Sequence, residues 1–491
     1  MKKRVVIIGI DGGNWNILYN ILSKLPTLKH ITENGCCGTL FSTFPYVTAP
    51  AWTSAFTGMN PGKHGIFDFF KYPNYSRKLV TSSDIKSSLV WETLSNMNKK
   101  SIVIGVPLTY PVTEINGLMV SGFGAPGTHV DFVYPYNLKD EILNFFPNYR
   151  ISPNHVYENG KDIYLKELIE IANQKSEITK LFVNKYPDWD LLITVFSCSD
   201  WVQHWYQGDE RSIYQVYKII DDFLFWVLKN LYDKNTTIIL ISDHGFQEIN
   251  RICYINTYLK QQGYLRIKKN ILKSMLSTFG ITRRTIRALD SLNLRRFVPS
   301  SAKEKLPVNV FDSSKIDFEQ SQCWMPSSTT YGLFVKNGTN LQELIKKLTS
   351  LCDPSNGNPI FKKILKKEQV FWGQHLTNAP DLIFIPNSGY YIAEGYSQKL
   401  LADISSTNMP RGAHNLTGMY AVLGNSIEAQ KMDLVIWDIA SLVFTLFDMP
   451  VPSKMDGKVH EKMFKRGRKY PNKKFYDNTL DRLKQKLRKK K

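Results

Sequence analysis

Two threonines near residue 45 each stand two positions before a proline, and one of them is a candidate nucleophile. Thr43 lies in the triplet TFP and Thr48 lies in the triplet TAP. Pro50 suits the first position of a helix and Gly58 suits the residue at which a helix ends, so a helix is predicted to begin just after Thr48. Free N–H groups and the positive end of the helix dipole attract anions such as phosphate at that point. Thr43 has no such setting, so Thr48 is the predicted nucleophile.

A threonine hydroxyl needs a base or a metal to react at neutral pH, because alone it gives up its proton only at a far higher pH. No histidine or lysine near Thr48 in the sequence is an obvious base, whereas residue types that ligate metals are present. In chain order, the candidate ligands are Asp11, Thr48, Asp200, His204, Asp243, His244 and His414. Mixed aspartate and histidine ligands suit zinc, with manganese or iron as alternatives, while calcium would require oxygen ligands alone. The sequence therefore predicts a site for divalent cations.

The candidate ligands fall at the ends of predicted elements. Asp200 and His204 stand at i and i+4, where they would share one face of a helix. Runs rich in Val, Ile and Leu predict buried parallel strands at residues 5–10, 102–106, 191–196 and 237–241. Three of these runs lead directly into candidate ligands, and open α/β sheets bind ligands beyond the carboxyl ends of their strands. With helical patterns at 87–97 and 160–185, the chain is predicted to form an α/β fold: a doubly wound, mostly parallel sheet with helices on both faces.

Composition divides the chain into a core and two basic segments. Residues 1–265 and 320–460 are predicted to form the catalytic core, with 266–319 as a basic helical insertion or lid and 461–491 as a basic tail. Residues 458–491 contain 15 Lys and Arg against 3 Asp and Glu, so this end carries +12 of the formal net charge of +20. Basic segments of this kind are typical of solvated extensions, and the alternative is contact with an anionic membrane surface or with nucleic acid.

Two observations bear on location. The apolar run VVIIGI near the N-terminus ends after six residues at Asp11, which favours a first strand over a signal peptide, and no run reaches the length of a spanning helix. The six cysteines show no C-x-x-C spacing, which argues against a disulfide framework and against a structural zinc site. The sequence therefore predicts a cytoplasmic protein.

Six motifs together carry a resemblance to a known family. They are GIDGG, TxPxWTxxxTGxxPxxHGI, DxxxH, SDHGF, RGAH and the closing DIASLVFTLFDMPVPSKMDGK. With them the chain resembles the alkaline phosphatase superfamily, and within it the type I phosphodiesterase/nucleotide pyrophosphatase branch with its predicted phosphohydrolase/phosphomutase relatives. The resemblance covers residues 4–259 and 380–459. In that family the nucleophilic threonine lies nine residues before the threonine of a Thr-Gly pair, and Thr48 lies nine residues before Thr57.

The resemblance implies how two cations would be held. One cation would be bound by Asp200, His204 and His414. The other would be bound by Asp11, Asp243 and His244, together with the hydroxyl of Thr48.

The chain departs from the family at residues 67–69, which read FDF where the diesterases usually place an Asn that holds a phosphate oxygen. Phosphate binding is then expected to depend on the backbone N–H of Ala49 and on the cations. Arg411, in RGAH, is a further candidate to meet a phosphate oxygen, with an ion pair that supports the fold as the alternative.

The leading hypothesis is a two-metal phosphoesterase of the phosphodiesterase or pyrophosphatase type that acts through a phosphothreonine intermediate. Its substrate would be a small-molecule phosphoester or one linked to a lipid or glycan. One alternative is a phosphotransferase that moves a phosphate-bearing head group onto a glycan or lipid. The other is a noncatalytic protein that binds nucleic acid or an anionic membrane through its basic segments.

Overall fold

The structure is a computed structural model and describes residues 2–155, 157, 160–268, 316–397 and 399–465. Most of the predicted insertion and most of the predicted tail lie outside these residues, and so do the predicted contacts with a membrane or with nucleic acid. Among the described helices, none combines the length and the apolar character that a membrane crossing requires. All six cysteines are described, and all are free thiols.

The strands and helices have the following bounds in chain order. The strands are β1 Arg4–Ile10, β2 Cys36–Phe41, β3 Phe70–Lys71, β4 Lys78–Leu79, β5 Ser101–Ile104, β6 Gly117–Val120, β7 Val133–Tyr134, β8 Leu191–Phe196, β9 Thr236–Ile241, β10 Gly245–Tyr254, β11 Cys323–Trp324, β12 Gly332–Val335, β13 Phe361–Lys366, β14 Leu382–Pro386, β15 Gly389–Ala393, β16 Leu401–Asp403, β17 Gly412–Asn415, β18 Thr417–Gly424, β19 Gln430–Lys431 and β20 Leu434–Val435. The helices are α1 Trp15–Ile21, α2 Pro26–Asn34, α3 Thr48–Thr57, α4 Pro61–His64, α5 Val90–Asn96, α6 Leu138–Phe145, α7 Lys161–Lys185, α8 Cys198–Trp205, α9 Glu210–Asn230, α10 Ile255–Gln261, α11 Leu341–Thr349 and α12 Asp438–Leu446.

The main sheet has the strand order β19-β2-β18-β9-β1-β8-β5-β6-β7, and β20 pairs with β2. The central strands β9, β1, β8, β5 and β6 are parallel, whereas β18 runs antiparallel to both β9 and β2. The predicted strands correspond to β1, β5, β8 and β9. Strand β5 ends at Ile104, two residues before its predicted end, because Gly105 has a φ of 70° that no extended strand adopts.

Helices cover both faces of this sheet, which confirms the predicted doubly wound α/β class. Val6 and Ile8 of β1 point into a core that includes residues of α7 and α9. Val5 and Ile7 of the same strand point into a second core that includes residues of α3, α5 and α12. Alternate residues of a strand face opposite sides, so a strand buried on both faces is continuously apolar, as the sequence of β1 is.

The chain forms two compact units whose boundaries differ from the predicted ones. The first unit comprises Met1–Asn250, Leu365–Ala379 and Ile404–Lys491, and the second comprises Arg251–Ile364 and Pro380–Asp403. Residues 320–364 and 380–403, predicted to belong to the catalytic core, therefore belong to the second unit. This unit has its own sheet in the order β11-β12-β14-β13 and its own apolar core, which includes Leu259, Leu344 and Phe384.

Candidate metal centre and nucleophile

Thr48 is the first residue of α3, which runs from Thr48 to Thr57. The sequence predicted a helix that begins just after Thr48, with Pro50 as its first residue; Pro50 is instead the third. A proline fits there because the first N–H groups of a helix have no acceptor within it. Gly58 ends the helix in the left-handed conformation, with a φ of 69°. The N–H groups of Thr48 and Ala49 thus belong to the open first turn.

Asp11 lies directly after β1, and backbone and side-chain donors fix the loop around it. The indole Nε1 of Trp52 donates to Asp11 Oδ2 at 3.3 Å. The next residue, Gly12, has a φ of 67°, and its N–H donates to Asp243 Oδ1 at 3.0 Å. The carboxylates that follow β1 and β9 are therefore held side by side, as the parallel pairing of these strands requires.

Helix α8 follows β8 and carries Asp200 and His204 on one face. His204 Nε2 lies 3.5 Å from Asp200 Oδ2. The other ring nitrogen of His204, Nδ1, lies 2.9 Å from the carbonyl oxygen of Gly412, so it carries the proton and Nε2 has a free lone pair. A hydrogen bond from the second ring nitrogen to a backbone carbonyl is typical of histidines that ligate metals.

His414 reaches the cluster because β17 pairs antiparallel with the first half of β10. This register sets His414 opposite Phe246, two residues after His244. His414 Nε2 lies 3.1 Å from Asp200 Oδ1 and 3.0 Å from His204 Nε2. Its ring stacks on that of His244 with centroids 3.6 Å apart.

The buried carboxylates and imidazoles shift one another's titration. Burial, followed by the neighbouring charges of Asp243 and Asp200, raises the pKa of Asp11 well above its usual value. Burial also raises the pKa of Asp243 to about 7. The pKa of His244 is lowered, first by burial, so its ring is neutral at physiological pH.

The donor atoms of the cluster fit divalent cations. Three buried carboxylate oxygens accept no hydrogen bond: Asp11 Oδ1, Asp200 Oδ1 and Asp243 Oδ2. His244 Nδ1 lies 3.2 Å from the carbonyl oxygen of Gly245, so the lone pair of His244 Nε2 faces Asp243 Oδ2 at 3.1 Å. Lone pairs in a dry environment repel one another unless a cation lies among them.

The ligand atoms form two overlapping groups. Within each group they lie within 4.8 Å of one another, and the groups are Asp11, Asp243 and His244, and Asp200, His244 and His414. The first agrees with the set that the resemblance implies. In the second, His244 stands where the resemblance implies His204, although His204 Nε2 also contacts both Asp200 and His414.

The predicted nucleophile lies against this cluster, whereas the side chain of one predicted substrate contact is exposed. Thr48 Oγ1 is 3.4 Å from His244 Nε2. Ala49 follows it in the first turn of α3. The side chain of Arg411 is exposed, and only its backbone carbonyl is engaged near the site, as the acceptor for the N–H of Ile249.

Residues that fix the site without being predicted to do so include Gln203. Its Nε2 donates to the carbonyl oxygens of Gly12 and Ser199 at 3.0 and 2.6 Å, and thereby joins α8 to the loop after β1. Trp52 is fully buried, and its indole N–H donates to Asp11 Oδ2. Gln203 lies inside the DxxxH motif, which was the one sequence feature that could have indicated its role. A single polar residue between two ligands forms no recognisable pattern, so this role could not be predicted.

The chain matches the model of one known protein family. The model of the family described as type I phosphodiesterase/nucleotide pyrophosphatase matches residues 5–416. No curated protein matches the chain significantly.

Solved structures share the fold at low sequence identity. Murine ectonucleotide pyrophosphatase/phosphodiesterase 5, as an inactive variant in complex with AMP, is 14% identical over 93% of this chain and 98% of its own, with a TM-score of 0.54. Phosphonoacetate hydrolase from Sinorhizobium meliloti, in complex with phosphonoformate, is 13% identical over 90% of this chain and 95% of its own, with a TM-score of 0.60.

Proposed function

Because the chain belongs to the type I phosphodiesterase/nucleotide pyrophosphatase family of metal-dependent phosphoester hydrolases, we propose that Thr48 is the nucleophile that attacks phosphorus in a phosphodiester or a pyrophosphate. One observation carries the proposal: Thr48 Oγ1, at the N-terminus of α3, lies 3.4 Å from His244 Nε2, an atom of a cluster with three unpaired carboxylate oxygens. The other residues of that cluster are aspartates and histidines, so Thr48 alone among them carries a hydroxyl.

Two cations would be held by residues of this cluster. Asp11, Asp243 and His244 would hold one, next to Thr48. Asp200, His204 and His414 would hold the other, with His244 close enough to contribute. Zinc is the proposed ion, because the ligands mix carboxylate oxygen with imidazole nitrogen. When bound, two such ions stabilise negative charge on the attacking and the departing oxygens of an in-line displacement.

The chain positions Thr48 through the start of α3. The side chain is nearly fully buried, so the hydroxyl is held in a site that excludes most water. The N–H groups of Thr48 and Ala49 are free to bind the oxygens of the phosphoryl group, and the helix dipole favours the negative charge there. These two groups take the place of the Asn that related diesterases use.

The covalent step is a displacement at phosphorus. A bond forms between Thr48 Oγ1 and phosphorus, and the Thr48 hydroxyl releases its proton to water. The bond from phosphorus to the leaving oxygen breaks, and its electron pair departs with that oxygen. The phosphoryl group remains on Thr48 until water attacks it and restores the hydroxyl. A threonine ester formed in this way splits one difficult displacement into two easier ones.

The test is hydrolysis of bis(p-nitrophenyl) phosphate by the zinc-reconstituted protein. Thr48→Ala is expected to lower kcat/KM by about 1,000-fold, since the nucleophile itself is removed. The matched control is Thr43→Ala, which removes the other threonine of a Thr-x-Pro triplet, one whose hydroxyl donates only to the adjacent Phe44 carbonyl.

Acid quenching during turnover of bis(p-nitrophenyl) phosphate, followed by mass spectrometry, is expected to find a p-nitrophenyl phosphoryl group on the peptide that contains Thr48. Retention of wild-type activity by Thr48→Ala would refute the assignment. Transfer of the phosphoryl group to an added alcohol in preference to water would favour the phosphotransferase alternative.

A further inference from the structure

A cavity of about 390 Å³ lies in the first unit at the amino ends of β5, β6 and β8, and we call it the amino-edge cavity. Ile102 of β5, Leu118 of β6 and Trp189, which precedes β8, are among the residues that line it. The candidate metal centre lies at the opposite edge of the sheet, because Asp200 follows the carboxyl end of β8. Strand β8 has six residues and spans about 20 Å, so a small molecule in the cavity is too distant to contact Thr48.

The floor of the amino-edge cavity is apolar. Ile102, Leu118, Leu138 and Trp189 line it with buried side chains. The guanidinium of Arg4 lies 4.7 Å from the centroid of the Trp189 ring and helps to hold that ring in place. The volume is typical of a site for a small molecule, and the apolar part of a ligand would be removed from water at this floor.

The rim of the amino-edge cavity is polar and exposed. Lys100, Asn137 and Lys185 line it, and all three are exposed residues. Asn137 precedes α6, but its side chain makes no capping hydrogen bond to that helix. A ligand whose apolar part lies on the floor would therefore bring its other end to ammonium and amide groups.

The ion pairs at and beside the rim carry an excess of positive charge. They involve four lysines and three carboxylates: Lys2, Lys99, Lys100 and Lys185, and Asp188, Asp190 and Glu141. Asp188 alone accepts Lys2 at 2.5 Å and Lys100 at 2.8 Å, and Lys185 lies 2.6 Å from Glu141. Exposed ion pairs are weak, so an anionic group of a ligand can compete for these lysines.

Both lysines of the rim are charged at neutral pH. The hydrogen bond to Asp188 raises the pKa of Lys100, and the hydrogen bond to Glu141 raises the pKa of Lys185. The rim therefore favours an anion over a neutral group.

We propose that the amino-edge cavity binds an amphipathic organic anion, whose apolar body packs on the floor while its charged end meets the ammonium groups of Lys100 and Lys185. A free carboxylic acid and an anionic lipid of a membrane share this chemistry. The cavity is separate from the candidate metal centre, so the inference adds a second binding site and does not depend on the proposed function.

Calorimetric titration of the zinc-loaded protein with three compounds tests the proposal. Octanoate has an apolar chain and a charge, octanamide has the chain without the charge, and acetate has the charge without the chain. Octanoate is expected to bind about fivefold more tightly than octanamide, because solvent limits the contribution of exposed lysines. It is expected to bind at least about tenfold more tightly than acetate, which also controls for coordination of a carboxylate to zinc.

Variants locate the binding in the amino-edge cavity. Asn137→Trp places a bulky ring at the rim and should weaken octanoate binding by about tenfold. Lys185→Gln should weaken octanoate binding by about threefold and leave octanamide binding unchanged. The matched control is Lys180→Gln, which removes a lysine of the same helix that pairs with Glu177 at 2.8 Å and does not line the cavity; it should leave octanoate binding unchanged.

Vesicles distinguish the two sources of the anion. With a lipid as the natural ligand, Asn137→Trp should weaken cosedimentation of the protein with phosphatidylglycerol vesicles. With a free acid as the natural ligand, the variant and the wild type should cosediment equally. Lys185→Gln alters only an exposed side chain and decides the matter if Asn137→Trp fails to fold. No octanoate binding at about 5 mM, equal binding of octanoate and octanamide, or an octanoate affinity that neither variant changes would overturn the proposal.

Discussion

Two aspartates are completely buried in different units of the molecule, and they differ in how many hydrogen bonds their oxygen atoms accept. Asp353 in the second unit accepts two hydrogen bonds from the guanidinium of Arg251, at 2.9 and 3.2 Å. It also accepts the N–H and hydroxyl of Ser355 and the hydroxyl of Tyr390. Asp243 in the first unit has one oxygen, Oδ2, that accepts no hydrogen bond.

The two environments have opposite electrostatic consequences. Burial alone would raise the pKa of Asp353, but the hydrogen bonds from Ser355 and Arg251 outweigh burial and lower it to about 2. At Asp243 burial prevails, and the pKa rises to about 7. A buried carboxylate oxygen that lacks a donor destabilises the metal-free fold, and a cation at the proposed site would supply the missing positive charge. The comparison thus separates an aspartate that supports the fold from one that we propose binds a cation.

The largest expected difference is in catalysis. Asp243→Asn should lower kcat/KM toward bis(p-nitrophenyl) phosphate by about 1,000-fold, because the amide is a far weaker ligand for a cation that stabilises the transition state. Asp353→Asn, which changes the same group in the second unit, should retain activity within about threefold as long as the protein stays folded. The measurement is steady-state kinetics with zinc present. Similar losses in both variants would remove the distinction.

The next largest effect is on stability, and here we expect the change at Asp353 to have the large effect. Asp353→Ala should lower the free energy of unfolding by about 3 kcal/mol, because it leaves the guanidinium of Arg251 without its partner. The side chain of Arg251 is partly exposed, so solvent limits the loss. Urea unfolding in the presence of EDTA measures this loss, with Glu319→Gln, a change at an exposed carboxylate of the same unit, as the control. A loss below about 0.5 kcal/mol would mean that the Asp353 network adds little to stability.

A pH titration sharpens the contrast further. In the metal-free protein the folded state keeps the proton of Asp243 up to about pH 7, whereas the unfolded state releases it near about pH 4. The folded state therefore binds more protons between these values, and the stability of the metal-free protein should fall as pH rises through this window, by at most about 1.4 kcal/mol per pH unit for one group.

The pKa shift of Asp353 gives stability the opposite dependence on pH. Its folded pKa is lowered, so its contribution is complete above about pH 4 and is lost as pH falls toward about 2. Unfolding free energies from pH 2 to 8, with EDTA and with saturating zinc, test both statements. Zinc should abolish the decline above pH 4, and a decline that is the same with and without zinc would contradict the origin assigned to it.

The smallest expected effect is a gain in the stability of the metal-free protein. Asp243→Asn should raise the unfolding free energy of the metal-free protein at pH 8 by about 1 kcal/mol, because it removes a buried charge that repels Asp11 and Asp200. In saturating zinc the same variant should be less stable than the wild type, since it binds the ion less well. Thermal unfolding in EDTA and in zinc gives both values, and a variant that is destabilised in EDTA as well would show that Asp243 supports the fold by itself.

The sequence predicted the central strands because β1, β8 and β9 are runs rich in Val, Ile and Leu that are buried on both faces. It predicted Asp11, Asp200, Asp243 and His244 as candidate ligands because such strands end at the ligand-binding edge of a sheet. It could not predict the second unit in the same way. Strands β11 to β14 are two to six residues long, and β13 reads FKKILK, which lacks a buried pattern.

Details of the site depend on contacts between distant segments. The approach of His414 to His204 follows from the pairing of β17 with β10, which no local pattern specifies. The contact of His244 with both groups of ligands depends on side-chain geometry, as does the absence of donors to Asp243 Oδ2. The exposure of Arg411 likewise depends on where β17 begins, and a residue three positions before a ligand in the sequence need not point the same way.

The most direct test of the cation assignment is the metal content of the protein. Protein dialysed against EDTA, reloaded with zinc and freed of excess ion should contain two zinc ions per chain by inductively coupled plasma mass spectrometry. Asp243→Asn should lower this number to about one, whereas Asp353→Asn should leave it at two. A wild-type protein that retains no zinc, or an Asp243→Asn variant that retains as much as the wild type, would contradict a metal centre built on the unpaired carboxylates.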